Sequence, residues 1–153
     1  NILSIPINAK PVITNVWAGT DFSSASKKVF EVVENLQKNT AAKVKAVHVY
    51  NVPVQFSPYI PKENLDLKIE NHLKEKCEKF IKKIGYKGEL TTEIIPGRDS
   101  GAAEKLRIKA KTSNVDLIIV GDKGHNVFSS LLVGSVTEEL FNQDMDVPLW
   151  IVK

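Results

Sequence analysis

The chain has 153 residues, of which 42 % are hydrophobic and 25 % are charged, a composition that suits one globular domain with a sizeable core and excludes a disordered chain. Its 21 Lys and Arg residues against 18 acidic residues leave a net charge of +3, too small and too scattered to indicate a nucleic-acid-binding surface. The single cysteine, Cys77, excludes an internal disulfide and a cysteine-rich metal site, and no apolar run reaches the roughly 18 residues that span a membrane, so we expect a cytoplasmic protein without membrane insertion.

The opening segment, residues 1–11, is predicted to be an N-terminal extension or linker, and residues 12–153 are predicted to form the domain. Asn1 to Pro6 alternates apolar and polar residues like a strand, whereas Pro6 and Pro11 interrupt regular structure.

The first half of the domain is predicted to contain two strands and two helices. Val12–Ala18 forms the first core strand, and Asp21 or Ser23 caps the helix that follows, because their side-chain oxygens can accept from the free N–H groups of a first turn. Lys43–Val52 forms the second strand, and Glu63–Ile84 has the longest helical pattern.

His48 lies near the end of that second strand. We predict a structural role for it, because no nucleophile or metal ligand accompanies it in a recognisable motif.

The second half continues the alternation of strands and helices. Its predicted elements are a strand at Gly88–Ile95, a helix from Asp99 or Ser100 to about Lys111, a strand at Val115–Val120, a helix carrying Val136, Leu140 and Phe141, and a last strand at Val147–Val152. This order predicts an α/β fold with a doubly wound, five-stranded parallel sheet, helices on both faces and a Rossmann-like nucleotide-binding architecture. In such sheets ligands bind beyond the carboxyl ends of the strands.

A glycine pattern follows the most apolar strand. Gly121 and Gly124 bracket a loop whose backbone N–H groups can approach a ligand closely, and Gly134 and Ser135 stand where the last helix begins. A helix start presents further free N–H groups. Two anion-binding elements are therefore predicted to face one pocket, although the same glycines could serve only tight turns.

This pattern of Gly-x-x-Gly, nine residues and Gly-Ser, after a buried strand and before a helix, resembles the ATP-binding branch of the universal stress protein family. The resemblance implies an adenine nucleotide alpha-hydrolase-like fold and a site for ATP, AMP or ADP. Asp21 would contact the nucleoside and Val49 the adenine, although capping alone would also explain Asp21. The candidate ligand-binding residues are Thr20, Asp21, Val49, Gly121, Lys123, Gly124, His125, Gly134, Ser135, Val136 and Thr137. No catalytic residue and no protein metal site is predicted.

Two positions depart from the family's usual loop. Asp122 follows the first glycine, and His125 stands where the family often has Arg or Lys. A carboxylate near a triphosphate repels it unless it points away or meets a cation, and Lys123 could offset that charge. The number of phosphates bound is therefore left open.

The leading functional hypothesis is a non-enzymatic, stress-response module that binds ATP and acts through dimerisation and partner contacts. One alternative is a slow ATPase in which Mg²⁺ bridges the phosphates, but the Walker lysine pattern is missing. Another alternative is a dimerisation scaffold without nucleotide.

The last strand is predicted to lie at the sheet edge and to pair with its own copy in a homodimer. The family resemblance implies the same two-fold contact. Asn1 to Pro6 also resembles the end of a preceding stress-protein domain, a resemblance that implies either the second half of a tandem protein or one domain of a larger chain. If that segment covers the edge instead, the dimer would be lost or rearranged.

Overall fold

The protein folds as a six-stranded sheet with helices on both faces. The computed structural model describes residues 1–10, 12–50, 62–97, 101–122, 135–143 and 145–153. Within these residues the elements are β1 (Ile2–Ser4), β2 (Asn15–Gly19), α1 (Ser24–Thr40), β3 (Lys43–Tyr50), α2 (Lys62–Ile84), β4 (Leu90–Pro96), α3 (Ala102–Thr112), β5 (Leu117–Gly121), α4 (Ser135–Asn142) and β6 (Leu149–Val152).

The strands lie in the order β1-β6-β5-β2-β3-β4. All neighbouring pairs from β6 to β4 are parallel, whereas β1 pairs antiparallel with β6. The doubly wound parallel sheet predicted from the sequence is confirmed. The predicted number of five strands is one too few, because the strand-like opening segment joins the sheet as β1.

The core consists of one apolar layer on each face of the sheet. Alternate residues of a strand point to opposite faces, so Val16 and Ala18 pack with Phe30 under α1 and α2, while Trp17 packs with Leu106 under α3 and α4. Both layers are almost completely buried. A sheet covered on both faces requires the near-continuous apolar strands seen in the sequence.

The central strands begin later than the hydrophobic pattern predicted. At the start of β2, the Oδ2 atom of Asp116 accepts hydrogen bonds from the backbone N–H groups of Thr14 and Asn15, at 2.9 Å each, and from the Thr14 hydroxyl at 2.7 Å. Burial alone would raise the pKa of Asp116, but these hydrogen bonds together lower it. The last strand also begins later than predicted, at Leu149 instead of Val147. Pro148, directly before it, has no N–H to donate to a ladder.

The prediction that the last strand forms a sheet edge is wrong. β6 lies between β5 and β1, with Leu3 opposite Trp150 in the antiparallel register. The backbone N–H of Lys153 donates to the Asn1 side chain at 2.9 Å, which extends the pairing by one contact. Trp150 is half-buried and packs against the layer under α1 and α2. The N-terminal segment therefore occupies the edge at which the sequence predicted a second copy.

Candidate functional site

The candidate site lies at the carboxyl ends of the central strands. β2 pairs with β3 on one side and with β5 on the other, and the chain winds in opposite directions from it. Open α/β sheets bind ligands at such a reversal point. The expectation that β2 and β5 are neighbours is confirmed by the pairing of Ala18 with Ile119.

The two strands approach closely at Gly19. A Cβ atom at this position would lie 3.0 Å from Cγ1 of Val120, which is closer than side chains normally pack. Glycine therefore permits close packing between β2 and β5 without displacement of Val120, just before the loop that carries Thr20 and Asp21.

The loop after β2 is held by its own polar groups. The buried Thr20 accepts a hydrogen bond at Oγ1 from the Phe22 N–H at 3.0 Å. Asp21 accepts at Oδ1 from the Ser23 N–H at 3.0 Å and from the Ser26 hydroxyl at 2.8 Å. Phe22 has φ 63°, in the left-handed region that a bulky residue seldom adopts. These bonds hold the chain in a sharp turn between β2 and α1.

The predicted capping of α1 needs a correction. Ser23 stands at the N-cap position, but its side chain makes no capping hydrogen bond. Asp21 instead accepts from the Ser23 N–H and from the Ser26 hydroxyl, so it joins the loop to the first turn of the helix through a side chain of that turn. The Asp21 carboxylate is partly committed to the loop.

A backbone notch opens between β2 and β3. The Thr20 N–H donates to the Val47 carbonyl oxygen at 2.9 Å, so Val47 turns its backbone groups toward β2. In a parallel ladder every second residue does the same, and therefore Val49 also directs its N–H and C=O to this side. The β2–β3 register ends at the pair Gly19 and Val47. Within the part of the chain that the structure describes, Val49 thus presents one donor and one acceptor past the end of β2.

The start of α4 is attached to the end of β5. Thr137 is buried, and its hydroxyl donates to the Gly121 carbonyl oxygen at 2.7 Å. The first N–H groups of a helix have no partner within the helix, and this bond brings that end of α4, the positive end of its dipole, to the carboxyl end of β5. Val136, in the same turn, is 37 % exposed. An anion at this end of the sheet would meet the positive end of α4.

Six of the predicted site residues lie in the described part of the chain with their side chains: Thr20, Asp21, Val49, Gly121, Val136 and Thr137. Ser135 is described as the first residue of α4. The glycine loop itself falls outside the described residues. The predicted residues concerned are Lys123, Gly124, His125 and Gly134.

Asp122, the unusual residue after Gly121, follows the end of β5 directly. Its N–H donates to the Val152 carbonyl oxygen at 2.8 Å, which continues the β5–β6 ladder by one bond. The N–H of Asp122 is therefore used by the sheet rather than free to bind a ligand.

Sequence reasoning missed the cluster around His48. Its Nδ1 atom lies 2.7 Å from the Thr20 carbonyl oxygen, and its ring centroid lies 4.4 Å from that of Phe22. Burial lowers the pKa of His48, partly opposed by the bond to Thr20. The position of a polar ring at the end of a central strand was the only signal in the sequence.

The described residues contain no group of three or more His, Cys, Asp or Glu side chains that could hold a metal ion. None of the described helices is long and apolar enough to cross a membrane.

Comparison with known proteins identifies relatives over almost the whole chain. Residues 13–153 match the Universal stress protein family. The chain is 27 % identical over 157 residues to Universal stress protein MJ0531 of Methanocaldococcus jannaschii, an alignment that covers 98 % of this chain and 88 % of that protein.

Solved structures share the fold. Universal stress protein UspA from Lactobacillus plantarum has a TM-score of 0.72 and 21 % identity, with 94 % of this chain and 100 % of that chain covered. The universal stress protein from Archaeoglobus fulgidus in complex with dAMP has a TM-score of 0.58 and 15 % identity, with 92 % of this chain and 98 % of that chain covered. At these identities the likeness shows the fold alone. The family match over residues 13–153 goes further, and this chain belongs to the universal stress protein family.

Proposed function

We propose that the protein is an adenine-nucleotide-binding regulatory module that takes ATP in the crevice between β2, β3 and β5. The observation that carries the proposal is the backbone notch at Val49, beside a loop held by hydrogen bonds at Thr20 and Asp21. A related fold from Archaeoglobus fulgidus forms a complex with dAMP. ATP, ADP and AMP would share the adenosine contacts. The notch therefore supports binding of an adenine base, but it does not indicate how many phosphates the ligand carries.

The notch suits adenine for a chemical reason. The N1 atom of adenine accepts a hydrogen bond and its N6 amino group donates one, in adjacent positions. The Val49 N–H and C=O supply the complementary donor and acceptor. Guanine reverses both groups, with an N1–H donor and an O6 acceptor, and would leave the notch unpaired. We therefore expect a preference for adenine over guanine.

The phosphates would lie at the end of β5 and the start of α4. The Thr137–Gly121 hydrogen bond supports this placement, because it fixes the positive end of α4 beside the end of β5. Gly121, Ser135 and Val136 then belong to the phosphate-binding part of the proposal, together with the residues outside the described ranges. These are Lys123, Gly124, His125 and Gly134.

We propose binding rather than hydrolysis as the activity. Two acid–base side chains at this end of the sheet are already engaged in structural bonds, since Asp21 Oδ1 accepts from Ser23 and Ser26 and His48 Nδ1 donates to Thr20. A general base must reach the proton that it removes. Mg²⁺ enters the proposal only as a counter-ion of ATP.

A homodimer through the last strand requires β1 to leave the edge that it covers. β1 has only three residues, all exposed, and Ile2 and Leu3 are 50 % and 52 % exposed. A strand this short contributes little burial and can be replaced by a longer antiparallel partner. We therefore propose dimerisation through β6 as a state of the protein in which β1 is displaced.

Isothermal titration of the whole chain with ATP and with GTP tests the function. We expect one ATP per chain, at least about tenfold tighter than GTP, a factor that corresponds to about 1.4 kcal/mol. Phosphate release followed over several hours distinguishes binding from slow hydrolysis. Equal affinity for the two nucleotides would contradict recognition at the notch, and no heat with either would leave the scaffold alternative.

A further inference from the structure

The imidazole of His48 occupies the place at which the β2–β3 ladder stops. Its Nδ1 atom lies 2.7 Å from the Thr20 carbonyl oxygen. A carbonyl oxygen can only accept, so the proton of the neutral ring is on Nδ1 and the bond is a donation from the side chain to the backbone. His48 thereby ties the end of β3 to the residue that follows β2.

A regular ladder would use a different donor for this oxygen. The Thr20 N–H already binds the Val47 carbonyl. The next bond of a parallel ladder would run from the Val49 N–H to the Thr20 carbonyl, but the register stops at Gly19 and Val47. Among the described residues the donor to Thr20 is the His48 side chain. One side-chain bond thus replaces the backbone bond that would close the notch.

Aromatic packing holds the imidazole in this orientation. The Phe22 ring lies 4.4 Å from the His48 ring between centroids, inclined by 36°. On its other sides Phe22 meets the Phe80 ring at 6.0 Å and the Lys76 ammonium at 5.0 Å from its centroid. Because Phe22 adopts a left-handed φ of 63°, the chain turns away from β3 immediately after Thr20. The turn and the ring together fix the carbonyl direction.

We propose that His48 is a positioning residue for the nucleotide: by donating to the Thr20 carbonyl and stacking on Phe22, it keeps the Val49 N–H and C=O open for the adenine edge. This inference rests on the proposed function for its ligand. The claim that His48 holds the notch at Val49 open concerns the free protein alone, and it can be tested without nucleotide.

Two substitutions separate the hydrogen bond from the ring. His48→Asn places an amide N–H near the position of Nδ1 and retains the donor, whereas His48→Phe retains an aromatic ring against Phe22 and removes the donor. The exposed His72 on α2 provides the matched control, His72→Phe. Both His48 variants and the control are compared with the unchanged chain.

Amide hydrogen exchange in the free protein gives the first measurement. In His48→Phe the Val49 N–H is expected to bond to the Thr20 carbonyl, and its exchange should slow at least about tenfold. His48→Asn and His72→Phe should leave it unchanged. Unaltered exchange in His48→Phe would overturn the proposal. Should that variant not fold, nitrogen NMR of the unchanged chain decides, because the proposal requires the neutral tautomer with the proton on Nδ1.

ATP titration gives the second measurement. His48→Phe should weaken ATP binding about tenfold, and His48→Asn should keep it within about threefold. Equal ATP affinity in all variants would overturn the positioning role. If the unchanged chain binds no adenine nucleotide, the proposed function fails, while the exchange rate of Val49 still tests whether His48 holds the notch open.

Discussion

The Thr137 hydroxyl lies 2.7 Å from the Gly121 carbonyl oxygen and donates a hydrogen bond to it. The two residues are 16 positions apart in the sequence. The bond joins the end of a buried strand to the first turn of a helix, the two elements to which we assign phosphate binding.

Thr137→Val is therefore expected to weaken ATP binding by about three- to tenfold. The substitution keeps the shape of the buried side chain and removes the donor, which leaves the Gly121 carbonyl short of a partner and costs about 1–2 kcal/mol of folding free energy. Titration calorimetry and urea unfolding measure the two effects.

Thr112→Val is the matched control, because its hydroxyl also bonds to backbone carbonyls but lies on an exposed turn of α3. It should leave ATP affinity unchanged. A loss of affinity in both variants would show that the effect does not come from the start of α4.

Gly19→Ala is expected to destabilise the protein by about 1–3 kcal/mol, because the added methyl group would lie 3.0 Å from Cγ1 of the buried Val120. Urea unfolding measures the change. The double variant Gly19→Ala, Val120→Ala removes the clash. Its loss of unfolding free energy should therefore be smaller than the sum of the losses in the two single variants. Strict additivity would argue against close packing at this point.

Protonation of His48 is expected to make stability fall with decreasing pH. Its folded pKa is below the usual 6.5, chiefly because of burial, while the unfolded chain keeps the usual value. Below 6.5 the unfolded state binds more protons, so this contribution is fully present above 6.5 and is lost as the pH falls through the folded pKa. The positive charge of Lys76 also lowers the pKa of His48, whereas the negative charge of Asp21 raises it.

Urea unfolding between pH 5 and pH 8 measures this dependence. The folded pKa of Asp116 is also lowered, but its contribution is lost only below the usual 3.8, outside this range. His48→Asn should flatten the profile between pH 5 and pH 7. The same slope in the variant and the unchanged chain would assign the dependence to other groups.

Deletion of residues 1–4 is expected to promote dimerisation, because it exposes the N–H and C=O groups on the outer side of β6. Sedimentation velocity at several concentrations should show a larger, concentration-dependent species for the shortened chain. Adding Trp150→Lys should return it to the size of the full chain. A monomer at every concentration after the deletion would rule out the β6 contact.

Periodicity and the order of the elements were sufficient to predict the five parallel strands and that β2 and β5 are neighbours. The position of β1 was not predictable, because three residues of alternating polarity do not identify a partner strand. The late start of β2 depends on the distant carboxylate of Asp116. Similarly, the role of His48 depends on the left-handed backbone of Phe22, a conformation that the sequence does not indicate.

Nitrogen–proton NMR of the whole chain during titration with ATP tests whether the nucleotide binds between the notch and the start of α4. If the adenine occupies the notch and the phosphates meet α4, the amide signals of Val49, Gly121 and Val136 will shift together and saturate at one ATP per chain. The signal of Ala41, at the opposite end of the sheet between α1 and β3, will stay in place. Shifts confined to other parts of the chain, or no shift at Val49 at saturating ATP, would contradict the account.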